Sequence, residues 1–158
     1  MRLRFSELMF DLMKEDERIF FLTGDLGFKV WDKVRESFPD RAFNVGAAEQ
    51  LLVGAGVGLA LANKIPVCYS ITPFLLYRPF ELIRNYVNHE RIPVKLIGSG
   101  RDKDYAHDGF SHWAEDDKSI MSNFPHIRNF HPKDEADLER RFRDLILTNW
   151  PCYINLKR

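Results

Sequence analysis

Short apolar runs alternate with longer mixed segments along this chain, and that alternation limits the fold more than any other property of the sequence. Ile19-Phe20-Phe21-Leu22, Ala42 to Val45, Pro66 to Ile71, Val94 to Gly98, Ile127 to Phe130 and Cys152 to Leu156 read as short strands. Between them the spacing predicts helices over 5–16, 29–38, from Ala48 towards Asn63, 74–88, 115–122 and 134–148. In the first of these, Leu8, Met9, Leu12 and Met13 share a face behind Ser6 as N-cap, and a long polar loop covers 99–114. Strands that alternate with helices predict an α/β fold, a three-layer α/β/α domain with a mainly parallel sheet covered on both faces. Ligands bind such sheets beyond the carboxyl ends of the strands. Four loops are therefore expected along one edge: Gly24 to Gly27, Gly46 to Glu49, Thr72 to Tyr77 and Ser99 to His112.

A length of 158 residues without a Pro/Gly/Ser-rich linker predicts one domain over 1–158. Lys plus Arg and Asp plus Glu both number 23 and neither sign forms a block, which argues against a nucleic-acid footprint or a polybasic membrane patch. Small molecules and proteins are the expected partners. The longest uncharged stretch, Leu51 to Ala62, falls short of the roughly twenty residues that span a bilayer. Glu7, Asp11, Glu15 and Asp16 interrupt any signal-peptide core. Cys68 and Cys152 sit in apolar, strand-like surroundings without metal-ligand spacing, so two structural thiols in a cytoplasmic protein are expected. His89, His107, His126 and His131 show no metal-ligand pattern either.

Glu49 heads that uncharged stretch. A carboxylate at the mouth of an apolar helix carries a desolvation cost unless something binds it, which marks a site. The helix macrodipole offers a purely structural explanation, since an acidic residue in a first turn is stabilised there. Gly54, Gly56 and Gly58 lie within the same helix, at about 1 kcal/mol each relative to alanine, and imply close approach of another backbone, within the domain or from another subunit. They are not a phosphate loop, because no Gly-Lys-Ser/Thr follows. Phe74, Tyr77 and Phe80 repeat at helical spacing, which by itself indicates core. Asp108-Gly109-Phe110-Ser111-His112 is a polar loop with a histidine.

Taken in order, these segments resemble the pyrimidine-binding domain of transketolase, a thiamine-diphosphate enzyme that moves two-carbon ketol units between sugars. Phe43-Asn44-Val45-Gly46-Ala47-Ala48-Glu49-Gln50 is similar to that family's glutamate motif, and Thr72 to Phe80 to its aromatic cofactor-binding segment. Asp108 to His112 is similar to its Asp-Gly-Pro-Thr-His loop, and Asn155 to Arg158 to its closing strand. The resemblance implies that Glu49 hydrogen-bonds the ring nitrogen N1′ of the aminopyrimidine, promoting loss of the thiazolium C2 proton. It further implies that Tyr77 stacks on that ring with Phe74 and Phe80 as an apolar wall, and that Asp25 lies near the cofactor. His112 would face the substrate carbonyl as a proton or hydrogen-bond donor, Asp108 a substrate hydroxyl, and Arg158 a sugar phosphate.

Departures accompany the matches. A second histidine expected after the strand at 94–98 is replaced by Ser99-Gly100-Arg101-Asp102, Phe110 replaces a proline, and Trp113 replaces a glutamine. The Gly-Asp-Gly and asparagine pair that holds diphosphate and a divalent metal such as Mg2+ in this superfamily does not occur in these 158 residues, and the family's C-terminal domain is expected to be missing too. The resemblance thus implies one subunit of a split enzyme, a heterotetramer built on a dimer of this chain, with a separate diphosphate-binding subunit. A ketoacid decarboxylase or dehydrogenase component and a non-catalytic interaction subunit stand as alternatives.

Overall fold

The computed structural model describes Met1–Arg158. Six strands form one sheet: β1 (Ile19–Thr23), β2 (Ala42–Asn44), β3 (Ile65–Ile71), β4 (Lys95–Ser99), β5 (Arg128–Phe130) and β6 (Cys152–Leu156). Their order is β2-β1-β3-β4-β6-β5 and every pairing is parallel. The central strands β4 and β6 are buried at every position, whereas the edge strands β2 and β5 each bury one residue. This is why the interior runs are mostly apolar, with Lys95, Ser99 and Asn155 as their buried polar members, and the edge runs are mixed.

Helices α1 (Arg2–Glu15), α2 (Asp32–Ser37) and α7 (Glu135–Leu147) cover one face, where Phe5, Met9, Trp31, Val34 and Phe142 meet Phe21, Val67, Tyr69, Ile97 and Ile154. On the other face α3 (Glu49–Leu61), α4 (Thr72–Tyr77), α5 (Phe80–Leu82) and α6 (Asp117–Met121) bury Leu52, Val53, Leu75, Leu76 and Ile120 against Leu22, Cys68, Leu96 and Tyr153. Alternate strand residues thus serve opposite layers.

The connection from β1 to β2 runs outward, and the connection from β2 to β3 returns across β1. The winding reverses between β1 and β3, and a crevice at such a switch point is where doubly wound sheets take ligands. Thr23 is in register with Asn44 and Tyr69, and Ile71 with Ser99, which in turn pairs with Leu156. The following loops therefore open on one edge.

Several local expectations shift. The first helix begins at Arg2, because Phe5 is fully buried edge-on to Trp31 and Phe142 and carries its turn into the helix. Ser6 consequently lies inside the helix, and its hydroxyl donates to the Val30 carbonyl at 2.6 Å. The helix expected over 74–88 is broken at Pro79, which lacks an N–H, resumes with the α-helical turn α5 and continues as a wide π-helical stretch over Ile83–His89. Gly56 packs tightly within the domain: a Cβ there would lie 2.7 Å from Cys68 Sγ. Gly58 meets nothing, and the outer face of α3 leaves Leu51 and Leu61 exposed.

Candidate active site

Glu49 opens α3 beneath the switch point and is 1% exposed. Its Oε1 accepts a hydrogen bond from Ser70 Oγ at 2.7 Å, and its Oε2 accepts one from Arg78 Nη1 at 2.6 Å. One hydroxyl, one guanidinium and the N-terminal end of a 13-residue helix therefore face a single buried carboxylate. Gly24, at the end of β1, closes the third side. A Cβ there would lie 3.0 Å from both Glu49 Oε1 and Ser70 Oγ, so the absence of a side chain keeps this cradle open.

Phe74, in α4, lies under Arg78, whose guanidinium carbon stands 3.9 Å from the ring centroid. The imidazole of His112 meets Phe74 edge-on at 4.8 Å between centroids, and Ser111 Oγ lies 3.0 Å from His112 Nδ1. Glu49, Arg78, Phe74 and His112 thus form a continuous chain of contacts from the sheet edge to the 108–112 loop. Tyr77 and Phe80 stand further out. Tyr77 is half exposed and donates its hydroxyl to Asp116, and this hydrogen bond, with partial burial and the carboxylate charge, pushes the phenol up to about 12. Phe80 packs against Phe124 at 5.2 Å. A recess of about 290 Å³ lies beside Tyr77, bounded by Pro73, Phe110, Trp113 and Asp116.

The remaining expected residues take distinct positions. Asp25 is exposed in a left-handed conformation with φ 56°, held by Asn44, whose amide donates to Asp25 Oδ1 and whose carbonyl accepts from the N–H groups of Asp25 and Gly46. Asn44 thereby ties the loop after β1 to the loop that leads to Glu49. Asp108 turns towards His107, 3.2 Å away, and not towards His112. Arg158 is anchored by its own N–H to Asp104 Oδ2 at 2.8 Å, and its guanidinium lies 5.0 Å above Tyr105, whose hydroxyl accepts from Arg2 at 3.1 Å. Arg101, within the 99–102 stretch that stands where a second histidine is expected, donates to the Pro132 and Asn155 carbonyls and serves the loop itself.

Ser70, Arg78 and Asn44 are the site residues that sequence reasoning does not single out. Arg78 stands within the aromatic segment but carries no mark of its own, and Ser70 shows only as a hydroxyl in an apolar strand. No group of three or more His, Cys, Asp or Glu side chains is placed to hold a metal ion.

The fold and site define a doubly wound parallel α/β domain with a buried acid at its switch point and an aromatic segment beside it. Residues 1–158 match the transketolase pyrimidine binding domain, and the chain belongs to that family. It is 31% identical over 155 residues to the 6-deoxy-6-sulfo-D-fructose transketolase subunit SqwH of Clostridium sp. (strain MSTE9), a match that covers 98% of this chain and 48% of that protein. It is 36% identical over 121 residues to an apulose-4-phosphate transketolase subunit of Actinobacillus succinogenes, covering 77% and 39%. A solved structure described as a split gene transketolase, inactive beta4 tetramer, superposes with a TM-score of 0.86 at 30% identity, over 99% of this chain and 50% of that one. Transketolase from Campylobacter jejuni superposes at 0.88 with 18% identity, over 99% and 25%, a likeness of fold. The chain spans about half the length of the curated relatives it matches.

Proposed function

We propose that this chain is the pyrimidine-binding subunit of a two-subunit, thiamine-diphosphate-dependent, transketolase-like enzyme that transfers a two-carbon ketol unit between sugar-type substrates. The observation that carries this reading is the Glu49 carboxylate, buried at the switch point in a cradle whose third wall is a glycine. That donor set fits an aminopyrimidine: a planar nitrogen heterocycle needs an apolar slot, an aromatic neighbour and one carboxylate for its ring nitrogen.

Bound thiamine diphosphate supplies a nucleophilic carbon and an electron sink. Glu49 binds the ring nitrogen N1′ and shares a proton with it, while Ser70 holds the carboxylate in place. Phe74, Tyr77 and Phe80 line the ring's surroundings and exclude water, and Asp25 flanks it from the loop after β1. His112 has Nδ1 beside Ser111, which leaves Nε2 to donate to a substrate carbonyl. Asp108 takes a substrate hydroxyl, and Arg158, held at its backbone by Asp104, takes an anionic terminus.

A separate subunit holds the diphosphate and its Mg2+. The exposed Leu51 and Leu61 of α3, together with Tyr77 and Phe110, give an apolar surface suited to self-association and to that partner within a heterotetramer. No helix is long and apolar enough to cross a membrane. The reading places the chain in the cytoplasm, a reducing compartment that suits its two buried thiols. The test is a ketol-transfer assay on the complex of this chain with its diphosphate-binding partner. Glu49→Ala is expected to abolish transfer, and equal rates for variant and wild type would refute the assignment. Carbon dioxide release from a 2-keto acid donor, without ketol transfer, would move the complex to the decarboxylase class.

A further inference from the structure

Two independent contacts place the Arg78 guanidinium in one position: it donates to Glu49 Oε2 at 2.6 Å, and it lies 3.9 Å above the Phe74 ring. A guanidinium is flat, delocalised and cationic, with N–H donors in its plane. A protonated aminopyrimidine is flat, delocalised and cationic too, with a ring N–H in its plane. The two groups ask the same carboxylate and the same aromatic face for the same interactions.

We propose that Arg78 is an internal stand-in for the cofactor's aminopyrimidine ring, occupying its seat in the free chain and leaving when the ring enters. This inference rests on the functional reading given above. Glu49 is buried, so an unpaired carboxylate there would carry a heavy desolvation cost, and Arg78 removes that cost until a ligand takes over. Departure needs only a side-chain rotation. Arg78 caps the end of α4, its side chain is 42% exposed, and Glu49 is its one side-chain hydrogen-bond partner. Ser70 keeps its bond to Oε1 throughout, so the seat retains its shape when Arg78 swings out.

A self-occupied seat weakens the apparent affinity for the ring by the fraction of time it stands open. If Arg78 is away one time in ten, the dissociation constant is raised about tenfold. The experiment is calorimetric binding of thiamine diphosphate with Mg2+ to the complex of this chain and its partner, for wild type, Arg78→Leu and Arg78→Gln. Both variants are expected to bind several-fold to about tenfold more tightly. Unchanged or weaker binding by variants that assemble normally would overturn the proposal. A crystal structure of the cofactor-loaded wild-type complex tests it without any substitution: Arg78 is expected away from Glu49, and an intact Arg78–Glu49 pair beside a bound ring would overturn it. Absence of cofactor binding by the wild-type complex would instead refute the functional reading itself.

Discussion

Ser70 reaches Glu49 from the carboxyl end of β3, its hydroxyl 2.7 Å from Oε1 and both groups sealed from solvent. The bond joins the strand on one side of the switch point to the helix that crosses it. Ser70→Ala leaves a buried carboxylate oxygen without that donor, at a stability cost of about 1–3 kcal/mol measured by urea unfolding. A carboxylate free to turn is also misplaced, so ketol transfer by the complex is expected to fall about tenfold to a hundredfold. Unchanged stability and unchanged rate together would show that Ser70 does not position Glu49.

Gly24→Ala tests the cradle from the opposite side. The backbone at Gly24 does not need a left-handed φ, so the substitution carries no such strain, but its Cβ would press on Glu49 Oε1 and Ser70 Oγ at 3.0 Å. The expected outcome is a folded chain whose complex binds thiamine diphosphate at least about tenfold more weakly, because sub-ångström crowding at a close-packed site is felt directly. Wild-type affinity in calorimetry would place the ring elsewhere.

What is legible in the sequence is whatever depends on neighbours along the chain. The strands announce themselves by short apolar runs, and Glu49 by a charge at the head of an uncharged helix. Pairings across the fold are not legible: Ser70 and Arg78 lie 21 and 29 residues from Glu49, and nothing local marks either as its partner. Local signals also lose to packing. Ser6 resembles a cap, yet burial of Phe5 pulls it into the helix. The 74–88 periodicity is real, yet Pro79 breaks its hydrogen-bonding. Arg101 lies in the 99–102 stretch that stands where a second histidine is expected, and its three nitrogens face inward to Asn155 and Pro132.

Asp117 is equally invisible in the sequence and anchors the far end of the site edge. Its Oδ2 accepts from His131 Nε2 at 2.8 Å, Tyr153 at 2.9 Å and Asn155 at 2.6 Å. Burial pushes this carboxyl up, but the His131 hydrogen bond and charge, with Tyr153 and Asn155, outweigh it and hold the group below its usual 3.8. The unfolded chain therefore binds the proton more readily. The stabilisation is complete above about pH 4 and is lost as pH falls through the depressed value. Asp117→Asn is expected to cost about 3 kcal/mol at neutral pH and to flatten the acid limb of the stability curve. Parallel acid limbs for variant and wild type in denaturant titrations would exclude Asp117 as their source.

Lys95 carries the opposite dependence. It is fully buried at the start of β4, and its Nζ donates to the carbonyls of Thr148 and Trp150 at 2.6 and 2.7 Å, closing the C-terminal end of α7. Burial pulls this amine down to about 8 from 10.5, with the Cys152 thiol opposing and Arg128 adding to the fall. Between those two values the unfolded chain holds more protons than the folded one, so this contribution to stability rises with pH, by about 3 kcal/mol across the window. A neutral amine still keeps the N–H donors that the two carbonyls require, so the cap survives deprotonation. Lys95→Met lacks both the buried charge and the cap. The stability advantage of wild type over this variant is therefore expected to widen from about pH 7 to about pH 10, measured by chemical denaturation at each. An advantage that stays constant or narrows would show that Lys95 keeps its proton throughout, held there by the carbonyls of α7.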